Sequence, residues 1–350
     1  MTHPREALHG TTAASSLPVC DHYCGVEARM VKSLSLQSEL TQEFGACVFD
    51  VTLDCEDGAL VGGEKDHALM VSELVNKAYM ASKNIALAAR SRVAVRVHPV
   101  DHDAFEQDVE LIVGQHAQGL CHVMLPKVDS VLDVERALKV IDRASESAGR
   151  LSPLPVHVLI ESPLAVHHVA AIVAHPRVES ASFGLMDFVS AHGGVIPACA
   201  METSSSDHPE TLDQFGHPLV LRAKLEISAA CHAFGKVASH CVVTEFKNAA
   251  LLEAAARRAS RALGFGRMWS IHPDQIRPIL KAFAPAEAEV EQASQIICKA
   301  FAADWAPIAH HGVLHDRASY RYFWQTLVRA HQTARLSAAD PAHQFFVNSF

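Results

Sequence analysis

The stretch Val51–Leu60, VTLDCEDGAL, opens as an apolar, β-branched run and closes with three carboxylates in four positions, Asp54, Glu56 and Asp57. An apolar run of that length bounded by turn residues reads as a buried strand. Seven further runs of the same kind are spread along the chain: SSLPVCD (15–21), RVAVRVH (92–98), CHVMLPKV (121–128), PVHVLIES (155–162), ESASFGLMD (179–187), GKVASHCVV (235–243) and RMWSIHP (267–273). Alanine- and leucine-rich stretches with helical periodicity separate most of them, among them residues 129–149 and 248–266. Strand and helix alternating eight times is the pattern of an α/β (β/α)8 TIM barrel, whose parallel strands are buried on both faces. A doubly wound sheet would carry a glycine-rich phosphate loop after an early strand, and neither GxGxxG nor GxxxxGK[ST] occurs.

Length and composition agree with one such barrel plus extensions. The chain has 350 residues, 49% of them hydrophobic and 20% charged, enough apolar material for a large core. The reading places an N-terminal tail at 1–15, the barrel at 16–284 and a C-terminal helical extension at 285–350. Residues 201–218, METSSSDHPETLDQFGHP, form one long polar insertion near the strand C-termini. A net charge of −9 without a basic block argues against a nucleic-acid partner. No apolar run reaches membrane-spanning length and the N-terminus has no secretory pattern, so the expected location is the cytoplasm, away from membrane. The nine cysteines fall mostly singly in apolar runs, as reduced small hydrophobes do. CDHYC (20–24) is half of a zinc pattern that no second pair completes, and AHHGVLH (309–315) is too little to argue for a metal.

Chemistry in such a barrel collects at the C-terminal strand ends. Here they carry Asp54, Glu56 and Asp57 after the second strand, Arg96 and His98 in the third, Lys127 after the fourth, Glu161 after the fifth, Asp187 after the sixth and His272 after the eighth. Carboxylates crowded into one partly dry pocket need a cation to stay ionised. An all-oxygen set suits magnesium or manganese. The alternative is that Asp54 and Glu56 cap the next helix or pair with Arg96 or Lys127, and spacing alone leaves both open.

Six segments taken together resemble the citrate lyase beta-subunit-like group of the HpcH/HpaI aldolase superfamily: VFDVTLDCEDGALVGGEKDHA (48–68), VAVRVHPVDHDAFEQDV (93–109), VMLPKVDSVLDVE (123–135), VLIESPLAVHHVAAIV (158–173), SFGLMDFVSAHGG (182–194) and LGFGRMWSIHPDQIRPILKAFAPAEAEVEQA (263–293). The resemblance implies a barrel with a C-terminal helical extension, a homo-trimer or hexamer, and carbon–carbon bond chemistry on acyl-CoA thioesters. It makes Glu161 and Asp187 the metal ligands, Arg96 the grip on a substrate carboxylate or enolate oxygen, and Glu56 and Asp57 holders of metal-bound waters. It casts Asp316 of GVLHDRASY as a general acid/base brought over a neighbouring subunit's site. The chain departs from that pattern where His98 replaces an asparagine, Ser162 and Pro163 follow Glu161, and His240 stands in place of an acid. His98 and Lys127 then read as substrate-binding groups, and His240 as a structural histidine or a second selective one. The implied reaction is magnesium-dependent cleavage or formation of a β-hydroxyacyl-CoA such as malyl-, citramalyl- or citryl-CoA, giving acetyl-CoA and a 2-keto acid. A CoA-independent class II pyruvate-type aldolase, a thioesterase variant and a non-catalytic barrel binding a CoA ester or keto acid are the alternatives.

Overall fold

A computed structural model describes residues 2–9, 17–58, 60–204 and 211–347. Residues 17–282 make one compact unit, and residues 1–16 with 283–350 make the other. In the first, eight strands close into a parallel barrel in chain order: β1 (Cys20–Cys24), β2 (Phe49–Asp54), β3 (Val93–Arg96), β4 (Leu120–Leu125), β5 (Val156–Ile160), β6 (Val178–Phe183), β7 (Val237–His240) and β8 (Arg267–Ser270). β8 pairs back onto β1 and closes the ring. All six residues of β2 are buried, as expected of a strand covered by side chains within and helices without. Each run read from the sequence overlaps one of these strands, the first by only Cys20 and Asp21; that run begins outside the described residues, and part of the 201–218 insertion (205–210) lies outside them too.

Successive side chains of a strand alternate between the barrel axis and the helix layer, and the contacts identify the inward set. Lowest on the axis is a polar layer. Asp50 binds Arg92 at 2.5 Å and Arg267 at 2.6 Å, Thr52 donates to Asp21 at 2.7 Å, and His157 hydrogen-bonds Ser180 and Ser182 at 2.5 and 2.8 Å. Met124, Leu159 and Trp269 form a small apolar cluster of their own. Tyr23, Asp54, Arg96 and Glu161 occupy the strand ends. Helix starts are specified locally: Ser130 and Asp133 form a capping box for Val131–Ser147, and Ser162 caps Pro163–Ala174 with proline at its first turn.

The second unit is built on helices Glu287–Ala302 and Arg317–Gln332, with Trp305, Tyr320, Trp324, Leu327 and Phe345 in its core. Two findings differ from the sequence reading. Residues 4–9 form a helix whose Leu8 packs into this same core, so part of the expected N-terminal tail is structured. The extension is not purely helical either. Ile308–His310 and Val313–His315 (β9 and β10) form an antiparallel hairpin, and the residues between them, His311 and Gly312, both have positive φ, at 47° and 78°. That conformation belongs to a two-residue hairpin turn, for which glycine at the second position is suited.

Candidate active site

Arg96, the last residue of β3, lies opposite Asp54, the last residue of β2. Its Nε donates to Asp54 Oδ1 at 2.6 Å and its Nη2 to Asp54 Oδ2 at 3.0 Å, a two-point pairing that suits the planar guanidinium. Nη1 reaches Glu56 at 2.6 Å, and Nη2 also reaches Asp57 at 2.7 Å and the Tyr23 hydroxyl. Tyr23 donates to Asp54 at 2.5 Å, and its ring lies 4.7 Å beneath the guanidinium carbon and stacks on Trp269. Lys127 binds the other oxygen of Glu56 at 2.6 Å. Burial raises the Glu56 carboxyl above its ordinary value, and Arg96 and Lys127 work against that rise. The carboxylates that close the opening stretch are thus neutralised first by side-chain cations, so the pairing alternative holds for Asp54 and Glu56. Fully buried Asp54 faces Arg96 and Tyr23, away from any role as a metal ligand. Asp57 is different: its side chain is 72% exposed.

Glu161, just past β5, is buried and accepts the Lys127 backbone N–H at 2.5 Å. Lys127 holds an uncommon positive φ of 50° to present that N–H. Gly184, just past β6, lets the Glu161 side chain through, because a Cβ there would collide with Glu161 Cβ and Oε2. Burial, helped by the charge of Asp187, pushes the Glu161 carboxyl up to about 8. Asp187 is exposed, in the first turn of Leu185–Ser190. A buried carboxyl beside a second carboxylate, fixed by a backbone N–H and a glycine gap, is a donor set that fits a hard divalent cation.

The remaining expectations separate. His98 lies on the Arg96 side of the barrel mouth and pairs with Asp108 at 2.6 Å. His240 is fully buried, 5.4 Å from Phe215 and 4.9 Å from Phe265, and burial holds its pKa well below the ordinary imidazole range, as for a structural histidine. His272 caps the turn Pro273–Gln275 and stacks on Phe246. Asp316 belongs to the other unit, where its exposed carboxylate caps Arg317–Gln332 by accepting from Ala318 and Ser319. Cys20 and His22 both bind Ser270 and Cys24 approaches Thr52 O, so CDHYC is an ordinary barrel strand.

Sequence reasoning missed Tyr23, Asp108, Asp129 and Gly184. Asp129 binds Ser162 beside Glu161. The alternation of β1 puts Tyr23 on the same face as Asp21, which is the signal that could have found it. Among the described residues, three-ligand metal groupings occur only in the lower barrel, as Asp21, His122 and His157 and as Asp50, Cys121 and His122. The two aspartates there already balance Arg92 and Arg267, so a dication would be left uncompensated in a dry interior. Burial also pulls the His122 imidazole down to about 3.

Residues 33–273 match the family described as HpcH/HpaI aldolase/citrate lyase. The chain belongs to that family. It is a carbon–carbon lyase in the sense that defines the group. Among its relatives is the L-malyl-CoA/beta-methylmalyl-CoA lyase of Cereibacter sphaeroides, 27% identical over 74% of this chain and 79% of that one. The human mitochondrial citramalyl-CoA lyase is 25% identical over 70% and 67%. A solved structure described as a citrate lyase from Burkholderia xenovorans LB400 is 44% identical, covers 98% of this chain and 99% of that one, and superposes with a TM-score of 0.78. The CitE protein of Mycobacterium tuberculosis, solved with magnesium, acetoacetate and coenzyme A, shares the fold at 20% identity, a TM-score of 0.59, and coverage of 90% and 98%. No helix among the described residues is long and apolar enough to cross a membrane.

Proposed function

We propose that this chain cleaves, and in reverse forms, the carbon–carbon bond of a β-hydroxyacyl-CoA of the malyl, citramalyl or citryl kind, releasing acetyl-CoA and a 2-keto acid. The observation that carries the reading is the pairing, at one barrel mouth, of a clamped guanidinium with a buried carboxyl that faces a second carboxylate. Glu161 and Asp187 would hold magnesium or manganese, and Glu56 and Asp57 would hold its waters. Once bound, that cation supplies Lewis-acid neutralisation of charge on keto-acid oxygens.

The chain's own residues do the rest. Arg96 neutralises negative charge that develops on the thioester oxygen, most effectively in a pocket poor in water. Asp54 and Tyr23 hold the guanidinium from below, so its orientation is set before substrate arrives. Asp57 is the exposed member among the carboxylates on Arg96, which makes it the partner that a substrate anion displaces. Lys127 and His98 line the approach as substrate-binding groups. Removing the β-hydroxyl proton and protonating the departing enolate need an acid/base group. We assign that role to Asp316, contributed by a second copy of the chain in a trimer or hexamer. The free thiols of all nine cysteines suit a reducing, cytoplasmic setting.

The test is a panel of malyl-CoA, citramalyl-CoA, citryl-CoA and a CoA-free 4-hydroxy-2-keto acid, each with magnesium or with chelator, followed by keto-acid release. Metal-dependent release from a CoA ester supports the proposal and names the substrate. Release from the CoA-free acid alone assigns the chain to the aldolases. Silence across the panel, with magnesium bound, refutes turnover of this substrate class.

A further inference from the structure

His98 stands two residues beyond Arg96 and so shares its strand parity, one step nearer the opening of the barrel. Its backbone N–H and its Nδ1 both bind Oδ2 of Asp108, at 2.9 and 2.6 Å. His102 stacks on the ring with centroids 4.4 Å apart. One edge and one face of the imidazole are therefore occupied. Nε2 is the remaining polar atom, and no group among the described residues hydrogen-bonds it.

Asp108 is 1% exposed, its Oδ1 has no hydrogen-bond partner, and its one ion-pair partner among the described residues is His98. A carboxylate buried that deeply needs a countercharge, and here only the imidazolium form of His98 supplies it. With Nδ1–H committed to Asp108, the imidazolium presents Nε2–H as a charge-assisted donor. Burial alone would lower the His98 pKa, yet the hydrogen bond and charge of Asp108, with the charge of Glu56, raise it overall. Asp108 itself ends the helical turn Phe105–Asp108, directly before a π-helical turn, Val109–Val113. Such turns re-aim a helix face locally and recur at functional positions.

We propose that Asp108 is a positioning residue that holds His98 so that Nε2–H meets an anionic oxygen of a small oxo acid, its carboxylate or keto oxygen, beside the Arg96 guanidinium. This deepens the lyase reading and rests on it for the identity of the oxo acid as product or co-substrate. It also gives the replacement of the family's asparagine by His98 a physical meaning. A neutral amide donor gives way to a cationic one, and Asp108 supplies the charge that keeps it so.

The experiment is calorimetric binding of pyruvate and of glyoxylate to the full chain with magnesium, for the wild type, His98→Asn, His98→Gln and Asp108→Asn. Losing one hydrogen bond from a charged donor corresponds to roughly tenfold or more in Kd. We expect that loss for at least one of the two acids in each variant, with magnesium affinity unchanged. In protein labelled with ¹⁵N-histidine, the Nε2 resonance that disappears in His98→Asn should lie in the imidazolium range and move when the same acid is added. The proposal is overturned if neither acid binds the wild type, if the variants bind as tightly as the wild type, or if the resonance stays fixed. Asp108→Asn is isosteric and leaves His98 in place, so it carries the test should the His98 variants fold poorly. The two readings fail separately. Keto-acid binding that depends on His98, with no acyl-CoA turned over, removes the lyase reading alone; turnover with kcat and KM unchanged in Asp108→Asn and His98→Asn removes this inference alone.

Discussion

Replacing Arg96 with methionine keeps the length of the side chain and deletes the cation. Asp54, fully buried, loses two hydrogen bonds from the guanidinium, and Glu56, whose side chain is 7% exposed, loses one of its two cationic partners. Removing one member of a buried ion pair leaves an uncompensated charge and costs about 3–5 kcal/mol. The assay is urea unfolding followed by Trp269, made the sole reporter by Trp305→Phe and Trp324→Phe, because Trp269 stacks on Tyr23 directly beneath the cluster. Asp54→Asn placed in the Arg96→Met background should recover about half of the loss or more, because a neutral amide still accepts from Tyr23 and needs no cation. Arg96→Lys should fall between, retaining charge without the two-point geometry. A cost below about 1 kcal/mol, or no recovery with Asp54→Asn, would refute the view that this cluster is a buried, mutually dependent network.

Asp187→Asn should abolish magnesium-dependent keto-acid release while the circular-dichroism spectrum stays unchanged; retained metal-dependent activity would sink its assignment as a ligand. Gly184→Ala forces the Glu161 side chain from its place, and overpacking of this kind costs about 1–3 kcal/mol. Calorimetry should show weaker magnesium binding in that variant. Lys224 is fully buried against Gln214 and the Phe215 ring, and burial pulls its pKa from 10.5 down to about 8. Its contribution is present above 10.5 and lost as pH falls through about 8. Lys224→Met should therefore be the more stable protein at pH 7, by on the order of 2–4 kcal/mol, with the difference vanishing near pH 10.5 in denaturant titrations. Asp316→Asn should lower turnover without changing magnesium affinity. Mixing it with Glu161→Gln chains should restore part of the activity if Asp316 serves a neighbouring copy, and no restoration would remove it from that role.

The barrel was legible because parallel strands covered on both faces read as continuous apolar runs, and no phosphate loop competed with that reading. The hairpin at Ile308–His315 was not, because three-residue strands carry too little pattern. Its turn signal, a glycine after His311, lay inside a histidine-rich segment weighed for metal and for the Asp316 that follows it. The acidic end of β2 was legible as chemistry but not as an arrangement. Position 54 announces a carboxylate at a barrel mouth; what it binds depends on which strands flank β2 and in what register. Closure sets Tyr23 of β1 on one side and Arg96 of β3 on the other, and both contacts cross about 30 to 40 residues of sequence. Asp108 was hidden for the same reason: an acid in a helical stretch reads as solvated surface until β3 delivers His98 to it. Charge at a strand end is a property of the strand, whereas the choice between ion pair and metal ligand is made by its neighbours around the ring. Asp54, between two strands that bring a cation and a hydroxyl, became the base of the guanidinium clamp. Glu161, between a backbone N–H after β4 and a glycine after β6, was left with a carboxyl that no side-chain cation among the described residues pairs with, and the proposed metal assignment rests on that difference.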